Sequence, residues 1–80
     1  MKITISQRQD KKLEIIFRDN KQEEKFIVGR SDEFLSCIDR FARKNKIKPE
    51  KLKNTRLEFI NTGLLTERII RVIILGLSFS

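Results

Sequence analysis

The 80-residue sequence contains no histidine, tryptophan or tyrosine, and it has one cysteine, one proline and three glycines. Without histidine, the common zinc-ligand sets and every histidine-based acid–base or nucleophilic relay are excluded. The single cysteine, Cys37, cannot close a disulfide within the chain, and as a nucleophile it would lack a histidine base. The sequence therefore predicts no catalytic residue, no metal ligand and no cofactor site, and we expect a protein that is not an enzyme.

Long hydrophobic runs are also scarce. The most apolar stretch runs from Ile69 to Phe79 and is interrupted by Arg71, and it is much shorter than the roughly 20 residues of a membrane-spanning helix. The first residues reach charge before any long apolar stretch, which is not the pattern of a signal peptide. Together with the lone cysteine, these observations predict a cytoplasmic protein that does not enter a membrane.

Positive charge is abundant and unevenly distributed. The formal net charge is +7, and the segment from Arg40 to Arg56 holds eight basic residues against one acid, Glu50. Such a segment can attract phosphate backbones or an acidic protein surface, or it can be a solvated helix end and loop. A candidate nucleic-acid surface, here termed the basic patch, consists of Arg40, Arg43, Lys44, Lys46, Lys48, Lys51 and Lys53.

Three strands are expected near the start of the chain. Residues 2–6 alternate between apolar and polar side chains, and residues 13–18 and 23–29 are rich in β-branched and aromatic residues. Both patterns are typical of strands. A turn-prone Asp-Asn pair separates the second strand from the third. The pattern predicts an antiparallel meander over residues 1–29.

Two helices and a fourth strand follow. Ser31 is a candidate N-cap for an amphipathic helix over residues 31–45, on which Cys37 is expected to be a packing residue. Residues 55–61 alternate again and predict a strand parallel to a neighbour, reached by a crossover. Thr66 is a candidate N-cap for a helix over residues 65–79, although the β-branched residues there would also suit a buried strand. The prediction is one α/β domain, β-β-β-α-β-α, with a mixed four-stranded sheet and two helices.

This order, and two segments in particular, resemble the N-terminal half of the TsaB (YeaZ) family, which has an RNase H-like, actin/hexokinase-type fold. The segment "FLSCIDRFARKNKIKPEKLKNTRLEF" is similar to that family's first helix, connection and next strand. The segment "TGLLTERIIRVIILGLSF" is similar to the family's "GPGSFTGLRIGVATAKGLAF". The loop has lost most of the family's glycines, and the first strand lacks the fold's phosphate-contacting Asp. The resemblance implies a single RNase H-like lobe over residues 1–80.

The resemblance also implies a function. Members of that family are non-catalytic scaffolds that pair with a catalytic paralogue, TsaD, in the N6-threonylcarbamoyladenosine modification of tRNA. By position, the residues divided between core and partner interface would be Phe34, Ile38, Phe41, Arg68, Ile69, Val72, Ile73 and Leu77. For Ile38 and Phe41, core packing is the stronger expectation. The expected partner is a TsaD-like protein, or a second copy bound through the last helix, and the basic patch could face tRNA.

An alternative from the residues alone is a stand-alone nucleic-acid-binding module that acts through the basic patch. Its binding would be salt-sensitive and indifferent to sequence, and base stacking would fall to the six phenylalanines, most of which are expected in the core. A nuclease of the RNase H type is not expected, because it needs several carboxylates converging on two metal ions. Glu14 and Glu58 lie on predicted strands as ordinary outward-facing charges, and the first strand has no Asp.

Overall fold

The computed structural model of the chain describes residues 1–48, 51 and 54–78, with the side chains of the last helix described as far as residue 76. Its regular elements are β1 (Lys2–Gln7), β2 (Leu13–Asp19), β3 (Gln22–Val28), α1 (Phe34–Lys44), β4 (Arg56–Ile60) and α2 (Leu64–Ser78). The α/β class and the order β-β-β-α-β-α that the sequence predicts are confirmed.

The four strands form one mixed sheet in the order β3-β2-β1-β4. β1 pairs antiparallel with β2, and β2 pairs antiparallel with β3, so that the first three strands form the predicted meander. β4 pairs in parallel with β1, with Lys2 opposite Arg56 and Ser6 opposite Ile60. The segment that contains α1 therefore leads from one edge of the sheet to the other, where β4 lies beside a parallel neighbour.

One face of the sheet carries the core. Because side chains alternate along a strand, the inward-facing isoleucines of β1 and β2 lie on the same side as Phe17 and are fully buried. Phe17 stacks on Phe41 of α1, with ring centroids 5.0 Å apart and planes 18° apart, and its ring also lies 5.9 Å from that of Phe34. Ile70 and Ile74 of α2 join the same cluster. Both helices therefore pack on one face of the sheet.

The opposite face of the sheet carries exposed and half-buried side chains, and most of its charged side chains form ion pairs across the strands. Three ion pairs cross it: Lys2–Glu58 at 3.5 Å, Glu14–Lys25 at 3.4 Å and Arg18–Glu23 at 2.9 Å. Pairs as exposed as these contribute at most about 1 kcal/mol each. Glu14 and Glu58 are thus matched by lysines of this face, as expected of outward-facing strand charges.

The start of α1 differs from the prediction. Residues 31–33 form a short 3₁₀ turn, and the α-helix begins only at Phe34. The Glu33 carboxylate accepts hydrogen bonds from the backbone amides of Gly29 and Arg30, at 3.0 and 3.4 Å. The side chain of Glu33, the third residue of the turn, therefore accepts hydrogen bonds from amides that would otherwise be free at the start of the turn. Ser31 lies inside the turn, so the prediction that it is the N-cap is wrong.

The start of α2 also differs, although the helix itself is confirmed over the alternative of a buried strand. α2 begins at Leu64, and the amide of Glu67 donates to the carbonyl of Gly63 at 3.2 Å. Thr66 therefore lies within the first turn and is not the N-cap. The predicted end of the helix at residue 79 lies outside the described residues. Across the described part of the chain, no helix combines the length and the apolar character needed to cross a membrane.

Candidate protein-docking surface

α2 has a buried face and an exposed apolar face. Ile70 and Ile74 are 0% and 8% exposed, whereas four apolar residues of the same helix are 57% to 75% exposed. At about 100° per residue, these four residues lie within an arc of about 120° around the helix, together with one arginine and one glycine. We call this arc the outer face of α2, and it consists of Leu64, Leu65, Arg68, Val72, Leu75 and Gly76. An exposed apolar stripe is a candidate interaction site.

A groove of about 440 Å³ lies next to the outer face, between α2 and the start of α1. Its lining is almost entirely apolar and comes mainly from Leu35 of α1 and from Ile69, Val72 and Ile73 of α2. Asp32 and Arg68 also border the groove but contribute almost no polar surface to it. Leu35 is 47% exposed, so this wall of the groove is open to a partner. The groove and the outer face of α2 share Arg68 and Val72, and together they are termed the docking surface below.

Four of the interface residues expected from the sequence line this groove. Arg68 and Val72 are four residues apart along α2, as are Ile69 and Ile73, and this spacing brings side chains to one side of a helix. The structure therefore brings these four together. Leu77 belongs to the same expected set, but its side chain lies outside the described side chains.

The three expected interface residues of α1 are placed in the core. Phe34, Ile38 and Phe41 are 0% to 1% exposed, because α1 turns its apolar arc onto Phe17 and the sheet. In the folded chain they present no surface to a partner. Their assignment is corrected to core packing, which the sequence already favours for Ile38 and Phe41.

Part of the docking surface was not anticipated from sequence. Leu35 lies on the apolar arc of α1, and its place at the edge of that arc is a weak signal of exposure. Leu64, Leu65 and Leu75 share the outer face with Val72. Leu64 precedes the predicted helix, whereas Leu65 and Leu75 lie within it, where apolar residues extend around most of the helix and do not indicate which side is exposed.

The two arginines of α2 lie in different environments. Arg71 is 3.6 Å from the Glu67 carboxylate, and its guanidinium lies 5.2 Å from the centre of the Phe59 ring. Arg68 makes no ion pair with any residue that the structure describes. It is exposed and has leucine and valine neighbours on the outer face. Arg71 is thus satisfied within the domain, whereas Arg68 is not.

The basic patch is partly neutralised by the fold. Its ion pairs are Arg43–Asp39 at 3.2 Å, Lys44–Glu24 at 3.5 Å and Lys51–Asp19 at 3.3 Å. Arg40, Lys46 and Lys48 form no ion pair within the described ranges, and Lys53 lies outside the described residues. The positive potential available to a phosphate backbone is therefore smaller than the count of basic residues indicates.

Cys37 is a buried residue of α1, 7% exposed. Burial raises the pKa of its thiol, Glu33 adds to this effect, and the charge of Arg40 opposes it. A raised pKa lowers the thiolate fraction on which thiol reactivity depends, as is typical of a packing residue. Among the residues that the structure describes, no three metal-ligating side chains lie close enough together to hold a metal ion.

Comparisons with protein-family models, curated proteins and solved structures found nothing that matches this chain. The resemblance to the TsaB family therefore stays an expectation from the quoted segments. The function is inferred below from the geometry of the docking surface.

Proposed function

We propose that this chain is a non-catalytic interaction subunit that binds a helix of a partner protein at its docking surface. The observation that carries the proposal is the outer face of α2, where Leu64, Leu65, Val72 and Leu75 are each more than half exposed beside an apolar groove. Covering such a face gains about 25 cal/mol for each Å² of apolar area removed from water. A helix laid into a groove is a common way to cover it.

The resemblance to TsaB supports a particular partner and process within this proposal. The partner is a TsaD-like protein, and the process is the N6-threonylcarbamoyladenosine modification of tRNA, in which this chain is the scaffold. The two segments that carry the resemblance contribute α1, β4 and α2, and α2 provides most of the docking surface. The charge and composition of the chain are compatible with this role in the cytoplasm.

Co-expression with a TsaD-like protein tests the proposal. The native chain is expected to co-elute with it on size exclusion, with light scattering giving a complex of both chains. Val72→Asp removes an apolar contact and places a carboxylate next to Arg68 under the partner, and it is expected to weaken the complex about tenfold or more, because a charged pair must then be buried where an apolar side chain was. Gln9→Asp adds the same charge in the exposed β1–β2 loop and is the matched control.

The outcomes separate the partner from the surface. Failure of the native chain to bind the TsaD-like protein would remove that partner. A complex that survives Val72→Asp as well as it survives Gln9→Asp would show that the docking surface is not the contact.

A second candidate function is a nucleic-acid-binding module, and the observation that favours it is the exposure of Arg40, Lys46 and Lys48 without ion pairs. The ion pairs made by Arg43 and Lys44 weaken it. The two functions are compatible, because the docking surface and the basic patch share no residue.

A further inference from the structure

Arg68 is an unpaired charge in the middle of an apolar helix face. Leu65 precedes it by three residues, and Val72 follows it by four, so all three side chains lie on the outer face of α2. Arg71, three residues further along the helix, pairs with Glu67 and contacts the Phe59 ring. Arg68 makes no ion pair or ring contact with any residue that the structure describes.

An occupant that covers the docking surface packs around Arg68, because Leu65 and Val72 flank it on the outer face and its side chain also lines the groove. A charge that loses its water without gaining a partner opposes binding strongly. Arginine presents a planar fork of N–H donors that matches the two oxygens of a carboxylate. An occupant that supplies a carboxylate at this point therefore binds better than one of the same shape that does not.

A second copy of this chain is poorly suited to supply that carboxylate. The acid that lines the groove is Asp32, whose carboxylate lies 3.5 Å from Arg30. Each copy also carries a formal net charge of +7, so two copies repel one another. The charge balance of the chain favours an acidic partner of a different sequence.

We propose that the docking surface selects an apolar helix of an acidic partner protein, with one Asp or Glu that pairs with Arg68. This inference rests on the proposed function, since it specifies the chemistry of that partner. Leu65, Arg68, Val72 and Leu75 are spaced by three, four and three residues, as in the seam between two packed helices. The partner helix presents apolar residues at the same spacing, with its carboxylate opposite Arg68. Arg68 thereby provides specificity, and the apolar residues provide most of the affinity.

The probe is a set of three fluorescein-labelled helical peptides that differ at one position. Each carries leucines at alternating three- and four-residue spacing, with Glu, Gln or Lys at the central seam position, and binding to the full chain is followed by fluorescence anisotropy. The Glu peptide is expected to bind about tenfold more tightly than the Gln peptide, as for a desolvated charge pair, and the Lys peptide is expected to bind most weakly. Arg68→Glu is expected to reverse the order, and Arg68→Lys to keep it with a smaller preference, because lysine lacks the planar fork.

Equal affinity for the three peptides, or no binding by any of them, overturns the proposal. Equal affinity that is lost in Val72→Asp leaves the proposed function standing, because the surface then binds helices without regard to charge. Equal affinity that Val72→Asp does not change overturns both the proposed function and the inference about Arg68.

Sedimentation of the chain alone is expected to give a monomer. A dimer that Val72→Asp dissociates would identify the occupant as a second copy and would also overturn the proposal. Because Arg68 and Val72 are exposed, far-UV circular dichroism of each variant is expected to match that of the native chain.

Discussion

The guanidinium of Arg71 lies 5.2 Å from the centre of the Phe59 ring, and this contact links α2 to the edge strand β4. The carboxylate of Glu67, one turn earlier in the helix, is 3.6 Å from the same guanidinium. Arg68, three residues before Arg71, lies on the outer face and forms no such contact within the described chain. Arg71 thus makes contacts within the domain, whereas Arg68 is exposed and makes none that the structure describes.

Substitution of these two arginines is expected to have different effects on folding. Arg71→Gln removes a cation–π contact and an exposed ion pair, and should lower the free energy of unfolding by about 1 kcal/mol. Arg68→Gln removes no described contact, and should change it by less than about 0.5 kcal/mol. Urea unfolding followed by far-UV circular dichroism measures both, since the chain has no tryptophan or tyrosine for fluorescence. Equal losses for the two variants would contradict the assignment.

The two faces of α2 are expected to respond oppositely to a new charge. Ile70→Asp buries a carboxylate in the core, where the side chain is fully enclosed, and should cost more than about 4 kcal/mol or prevent folding. Val72→Asp adds the same group to a side chain that is 66% exposed, and should cost less than about 0.5 kcal/mol. The same unfolding experiment decides between them, and a Val72→Asp variant that fails to fold would show that the outer face is buried.

The thiol of Cys37 predicts a dependence of stability on pH. Burial raises its pKa in the folded chain, whereas in the unfolded chain it ionises near the ordinary value of about 8.5. Above that pH the unfolded chain loses a proton that the folded chain keeps, so stability falls. The stability that the protonated Cys37 thiol contributes is fully present below the pKa of the unfolded chain, and it is lost as the pH rises through the pKa of the folded chain.

This dependence is measured by comparing the native chain with Cys37→Ala from about pH 7 to 10, since the other titrating groups are common to both. The free energy of unfolding of the native chain should fall more steeply with pH than that of the variant. Parallel curves would mean that the folded thiol ionises as readily as the unfolded one.

Binding to nucleic acid should depend on the unpaired residues of the basic patch. The double variant Arg40→Gln/Lys46→Gln should reduce binding to tRNA at low salt and lower the slope of log affinity against log salt by about 2. The matched variant Arg43→Gln/Lys44→Gln removes the same charge from residues already paired with Asp39 and Glu24, and should have a smaller effect. No binding by the native chain would end the nucleic-acid function, and equal effects would show that the ion pairs do not matter.

The element order was predictable from sequence because periodicity is a local property. The alternation in "KITIS" and the apolar arc of α1 are each contained in one segment, and each specifies its own element.

The residues that cap the helices were less predictable. At the start of α1, the hydroxyl of Ser31 and the carboxylate of Glu33 can both satisfy free amides, and the choice of Glu33 depends on the path of the chain through residues 29–33.

The docking surface was predictable only in part. Arg68, Ile69, Val72 and Ile73 were expected there and line the groove, whereas Phe34 of the same set lies in the core. Whether an apolar helical residue is core or surface depends on how far the helix is rotated against its neighbours. For α2, whose apolar residues extend around most of its circumference, the sequence of the helix does not encode that rotation.

By itself, the sequence determined the α/β class, the periods of the strands and of α1, the excess of positive charge, and the absence of histidine chemistry, because these depend on composition and on neighbours along the chain. Only the tertiary structure decided that β1 is the parallel neighbour of β4, that Lys44 and Lys51 of the basic patch pair with the distant acids Glu24 and Asp19, and that α2 buries Ile70 and Ile74. The physical reason is the nearly uniform apolar character of α2: several rotations would bury similar area, and the shape of the sheet and of α1 selects the one that leaves Leu65, Val72 and Leu75 exposed.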